Sequence, residues 1–225
     1  MQLTTDSHTS KHILGVGLAF VTSQLSILWI LWTPLARLPW LQGFRSYFAN
    51  DQLSYAAIAT TVAGGNLSAV EPLTETGVTY YPSAWYSVIG LVSWMTGVPV
   101  YAVWQVLGLV AVGVAVALLG WLGYRLSGNA LAPLLPGLAL ATGTFSTFLA
   151  DYWYTSLGYH AVIWGPFGTL FTLNAEAIGL MSVAVIFAWL VVTAVRSQRS
   201  GVRFPPSVAV IVAAALGALA NVQTY

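Results

Sequence analysis

The hydrophobic and polar positions of this chain fall into long apolar runs separated by short polar breaks. The runs 13–35, 100–124, 130–150, 173–195 and 207–225 approach or exceed the roughly 20 residues that a helix needs to cross a bilayer. Each is expected to be a helical span. The first run is longer than the ~7–15 apolar residues of a cleaved signal, and no small-x-small cleavage site follows it. It reads as an anchor, preceded by a polar tail over 1–12. One interval breaks the pattern. Residues 36–99 mix polar and aromatic positions and hold Asp51, Glu71 and Glu75, half of the six acidic residues in the chain.

Two shorter elements are predicted inside that interval. Residues 52–63 suit a helix, with Asn50-Asp51 ahead of it as an N-cap whose side-chain oxygen accepts a free N–H of the first turn. Leu53, Ala56, Ala57 and Thr60 recur at helical spacing, and so do Tyr55, Ala59 and Val62. That mild amphipathy suits a helix lying along a membrane surface. Gly64-Gly65 stops it. Residues 83–96 are apolar but short for a crossing, and Gly97-Val98-Pro99 ends them.

Charge decides how 83–96 is read. If this segment crossed fully, the basic loop 196–203 would lie opposite the amino terminus, against the positive-inside tendency. As a re-entrant or surface helix it leaves Lys11, Arg125, Arg196, Arg199 and Arg203 all inside. Asp51, Glu71, Glu75, Asp151 and Glu176 then gather on or near the outer face, and only Arg37 and Arg45 are positive there. A second aromatic interval, 151–171, faces the same side and can share one cleft with the first. The expected fold is all-α: a single polytopic transmembrane helix bundle with a juxtamembrane helix in its first outer loop. Its amino terminus is expected to be cytoplasmic and its membrane the plasma membrane.

Composition agrees and narrows the chemistry. The chain is 58% hydrophobic and 6% charged, where a soluble domain carries roughly 25% charged residues. A net charge of +1 without any basic run gives no footing for nucleic acid. There is no cysteine, which excludes disulfides, thiolate metal sites and redox motifs. Phosphate-cradling glycine loops, His-Glu zinc patterns and nucleophile elbows are missing too. His160, alone among aromatics, reads as a packing or hydrogen-bonding residue. Gly108 and Gly113 read as points of close helix approach.

The constellation left over is an acid after the first span, a surface helix, and an aromatic-Pro-x-x-Trp corner. Asp51-Gln52, Tyr81-Pro82 followed by Trp85, Thr96-Gly97 with Pro99, and Trp104 stand in an order that resembles the GT-C class of membrane glycosyltransferases. Those enzymes take sugars from polyprenyl-phosphate donors. Within the class, the likeness is to the actinobacterial arabinofuranosyltransferases that prime cell-wall galactan, and it covers Asp51 to Arg125. The resemblance implies that Asp51 is catalytic, that the first outer loop carries helices lying along the membrane, and that a glycan is the acceptor. It also implies that the chain is the amino-terminal part of a larger enzyme, or one that a partner chain completes. Two positions depart from the family pattern: Ser83 stands where a second proline is usual, and the amide Gln52 follows Asp51 where relatives pair two acids. Both bear on which sugar is donated.

Physical chemistry assigns roles to the same residues. Inverting glycosyl transfer needs one carboxylate to take the proton of the acceptor hydroxyl, while the leaving phosphate needs charge stabilisation. Asp51 is the candidate base. Arg45, or a divalent cation held by Asp51 and a second acid, is the candidate for the phosphate. Oxygen donors without cysteine suit Mg, Ca or Mn. Asp151 and Glu176 are the candidate second acids. Gln52, Tyr80, Tyr81 and Trp85 are candidate substrate contacts, and the aromatic three suit sugar faces, prenyl chains or an interfacial belt equally. For Asp51 the plain alternative is a helix cap; for the whole chain it is a non-catalytic transport or scaffold subunit.

Overall fold

The computed structural model of the protein describes residues 10, 13–15, 17–18, 21, 49–67, 83–129, 131–139, 173–201 and 206–219, with backbone only at 49–52. All regular structure among these residues is helical. The elements are α1 (Ala49–Ala63), α2 (Ala84–Thr96), α3 (Val100–Ser127), a 3-10 turn (Ala132–Leu134), α4 (Ala175–Ser200) and α5 (Pro206–Leu219). Two of them, α3 and α4, are long and apolar enough to cross a membrane. At 1.5 Å per residue α3 rises about 42 Å, beyond the ~30 Å of a hydrocarbon core. Half of its most apolar window is buried against 11% for α4, so α3 is the central post and α4 turns most of its surface outward.

Glycines in the left-handed region end the helices, and at Gly65 and Gly97 they do so where the sequence predicts stops. At the end of α1, Gly65 (φ 90°) donates its N–H to the Val62 carbonyl at 2.9 Å, and Asn66 reaches the Thr61 carbonyl at 3.2 Å. This double bond pattern closes a helix end only if the turning residue tolerates positive φ. Gly97, Gly128 and Gly201 end α2, α3 and α4 in the same region of φ.

Several boundaries differ from the sequence reading; α3 runs three residues past Tyr124 to Ser127, and α4 starts at Ala175, two residues after the predicted start at 173. Helix α1 begins at Ala49, so Asp51 is the third helical residue and not a cap before Gln52. Alanine is the best helix former, and an acid is favoured in the first turn by the partial positive charge of the free N–H groups. Nothing local therefore delays the start. Likewise 196–200 is not loop: α4 runs five residues past Val195, carrying Arg196 and Arg199 on its last turns until Gly201 stops it. Arginine and glutamine propagate helices well, and cations suit a C-terminus. Of the predicted span 130–150, the described part holds the 3-10 turn around Pro133 and helical residues 135–139. Most of 13–35 lies outside the described residues.

Helices α1 and α2 pack side by side and run parallel. The Tyr55 ring stacks on Tyr86 at 4.3 Å, and one turn on, a Cβ at Gly90 would collide with the Ala59 carbonyl and come within 2.7 Å of Val62. The contact face of α1 is Tyr55, Ile58, Ala59 and Val62, all buried, whereas Leu53 is 58% exposed. Of the two helical stripes in the sequence, the one through Tyr55, Ala59 and Val62 is thus the inner one.

Helix α2 leans across the head of α3. Tyr86 lies about 15 Å along α2 from Thr96, yet its ring meets Trp104, only about 6 Å along α3 from Val100. An antiparallel hairpin would bring Tyr86 much further down α3. Helix α4 instead runs parallel to α3. Its entry residue Leu173 sits against Trp104 and Gly108, and α3 and α4 share the most extensive helix–helix contact of the described residues. Too little of α3 precedes Gly108 to supply that contact, so α4 follows α3 toward Ser127. Ser127 and the level where Leu173 meets Gly108 thus lie about 28 Å apart along α3.

Candidate functional site

The head of this arrangement gathers the ends of several elements. Tyr55, Tyr86 and Trp104 form a row: Tyr55 stacks on Tyr86 with planes 8° apart, and Tyr86 meets Trp104 at 5.2 Å and 46°. All three are buried in the main apolar cluster. Buried tyrosine and tryptophan need partners for their polar atoms, and here two such atoms reach the start of α4. The Trp104 indole N–H donates to the Leu173 carbonyl at 2.8 Å. The Ala175 N–H points to the Tyr86 hydroxyl oxygen at a longer 3.4 Å. Between them Leu173 is fully buried with φ 49°, an unusual conformation for leucine. The indole bond and the tight seat on Gly108 hold it there.

The entry to α4 carries further polar groups. Asn174 is the N-cap, 7% exposed, yet its side chain makes no capping bond and Oδ1 has no hydrogen-bond partner among the described residues. The backbone does the capping: the Ala177 N–H donates to the Asn174 carbonyl at 3.0 Å. Glu176 follows in the first turn, half-buried, where the helix macrodipole favours its negative charge.

Four of the residues singled out in the sequence lie at this head. Asp51 lies one turn, about 6 Å, ahead of Tyr55 on α1. Gln52 follows it on the same turn. Trp85 stands in the first turn of α2 beside Tyr86, 6% exposed, with an indole N–H that has no partner among the described residues. That burial removes its ring from any open platform and leaves the N–H as its polar feature. Glu176 belongs to the same end through the Tyr86–Ala175 contact. Arg45, Tyr80, Tyr81 and Asp151 lie outside the described residues. No group of three metal-ligating side chains occurs among the described residues.

Sequence reading missed Tyr86 and Asn174. A tyrosine inside an apolar helix and an asparagine ahead of one are both ordinary in a membrane chain. Their signal is tertiary: Tyr86 meets Tyr55, Trp104 and Ala175, and Asn174 is buried.

The indole bond yields a prediction. Trp104→Phe keeps an aromatic ring but strips the Leu173 carbonyl of its donor. A buried polar group left without a partner costs about 1–3 kcal/mol. Tyr86→Phe, losing a long bond, is expected to cost less. Thermal unfolding of the two purified variants in one detergent checks the ranking, and equal midpoints would remove the clamp.

No family model, curated protein or solved structure matches the chain.

Proposed function

We propose that the protein is a polytopic membrane glycosyltransferase that moves a sugar, an arabinofuranose by the family likeness, from a polyprenyl-phosphate donor to a cell-envelope glycan. Asp51 acts as general base on the acceptor hydroxyl. Glu176 is the second acid at the same end, and the chemistry faces the outer side of the plasma membrane. A divalent cation would be held between carboxylates and would stabilise the leaving phosphate. Where the bundle is completed by further chain or a partner, those parts supply the remaining substrate contacts.

One observation carries this reading: the acids Asp51 and Glu176 stand at one end of the helix bundle and Arg125, Arg196 and Arg199 at the other. Parallel α3 and α4 produce that separation, which suits a positive inner face and an outer face free for an anionic donor. Helix α2, about 20 Å long at 13 residues and laid across the head of α3, suits a helix that stays at the surface.

Two experiments test the proposal. Membranes containing the protein are supplied with radiolabelled polyprenyl-phosphate arabinose and a galactan acceptor, and label is expected in the polymer. No incorporation by folded protein would favour the non-catalytic subunit. For orientation, Gln198→Cys on α4 is expected to resist a membrane-impermeant maleimide applied outside intact cells and to react once they are opened. Labelling in intact cells would reverse the topology.

A further inference from the structure

All three cationic side chains of the described residues lie at the foot of the bundle, and both described acids lie at its head. Arg125 is on the last turn of α3, Arg196 and Arg199 on the last turns of α4, and all three are exposed. The amino-terminal helical segment reaches the same end, since a Cβ at Gly15 would lie 3.7 Å from both Tyr124 and Pro133. We propose that this foot is a docking surface for anionic lipid headgroups.

The heights of the three arginines fit that occupant. Counted from the level where Leu173 meets Gly108, Arg125 is about 26 Å down the bundle, Arg196 about 34 Å and Arg199 about 39 Å. They are spread over a depth of about 13 Å, comparable with a headgroup layer of ~5–7 Å plus the reach of an arginine side chain. The groups just above are those of a membrane interface. The Arg125 guanidinium lies 6.0 Å over the Trp121 ring, and Phe187 and Trp189 on α4 are 50% and 41% exposed. Tryptophan at such a level marks the boundary between headgroups and hydrocarbon. Charges spaced along the normal do not form a cradle for one phosphate. They make a column of positive potential that concentrates anionic lipid by charge. The occupant is therefore the leaflet itself, not a soluble phosphate.

The inference depends on α3 and α4 spanning a bilayer and not on sugar transfer, so either can fail alone. The test reconstitutes the full chain in phosphatidylcholine membranes doped with spin-labelled phosphatidylglycerol or spin-labelled phosphatidylcholine. The ratio of their association constants at the protein surface is read. A preference of about fivefold for the anionic lipid is expected, the value that one well-placed arginine near the surface confers. Arg125→Gln, Arg196→Gln and Arg199→Gln combined should bring the ratio close to one, while the matching triple lysine variant should keep it. In 1 M salt, where charges are screened within about 3 Å, the wild-type preference should shrink. A wild-type ratio of one would overturn the proposal. So would a preference that survives in the glutamine triple. Should that triple lose its helical circular dichroism, the lysine triple and the salt series decide: a salt-insensitive preference overturns the proposal.

Discussion

Asp51→Asn is expected to lower sugar transfer by a factor on the order of 10²–10⁴, the usual worth of a positioned acid or base. The substitution keeps the shape of the side chain and removes its ability to take a proton. The start of α1 at Ala49 sets the structural control. Asp51 is inside the first helical turn, so its structural contribution is a negative charge near free N–H groups. Losing such a charge near a helix N-terminus costs typically about 0.3–1 kcal/mol. A loss of that size leaves a stable protein almost fully folded and cannot imitate a hundredfold fall in turnover. Activity per folded molecule, with the thermal midpoint measured alongside, separates the two roles. Full transfer by the asparagine variant would take Asp51 out of the mechanism. The search for the base would then turn to Glu176 at the same end, and to Asp151.

Gly108→Ala is expected to be, with Gly90→Ala, among the most damaging single-methyl changes in the described bundle. The added Cβ would come within 2.6 Å of the Leu173 Cβ and 3.2 Å of its carbonyl oxygen. Overpacking of this kind costs typically 1–3 kcal/mol when neighbours cannot yield. Leu173 has little room to yield, being fully buried, held at φ 49°, and tied by its carbonyl to Trp104 at 2.8 Å. If the chain does shift, that hydrogen bond is lost as well. Leu173→Gly isolates the contact. Alone it forfeits a buried leucine, a loss of about 2–5 kcal/mol in the manner of other large-to-small core changes. Part of this is offset because glycine tolerates positive φ without a side-chain clash. Combined with Gly108→Ala it removes the colliding Cβ, so the double variant should be more stable than the sum predicts by about 0.5–3 kcal/mol. Unfolding midpoints of the four proteins in detergent measure this. Strict additivity would mean that α3 and the entry to α4 are not in contact at Gly108.

Several features were legible without coordinates because they rest on local chemistry. The run 100–124 is helical, and so is 173–195 from Ala175 onward, since unbroken apolar sequence of that length leaves a helix as the way to satisfy its backbone. Gly65 and Gly97 end helices where the sequence places stops, because positive φ is cheap for glycine alone. Helix 83–96 was visible from its length and its flanking breakers. The two amphipathic stripes of α1 were also visible, but which one turns inward was not: alanine-rich stripes differ little in hydrophobicity.

Long-range partnership lay beyond sequence. Nothing local shows that Tyr86 stacks on Tyr55 and reaches Ala175, or that Trp104 donates to Leu173 across 69 residues. Helix periodicity reports what faces an interior, not which element lies there. The starting residue of α1 was misplaced for a related reason, since asparagine and aspartate serve both as caps and in first turns, and local sequence does not separate the two. What the sequence by itself determined is the helices, their stops and the amounts of charge between them. Tertiary structure decided that α3 and α4 run parallel, because a small glycine at 108 admits Leu173 at the head and thereby sends the acids to one end and the arginines to the other.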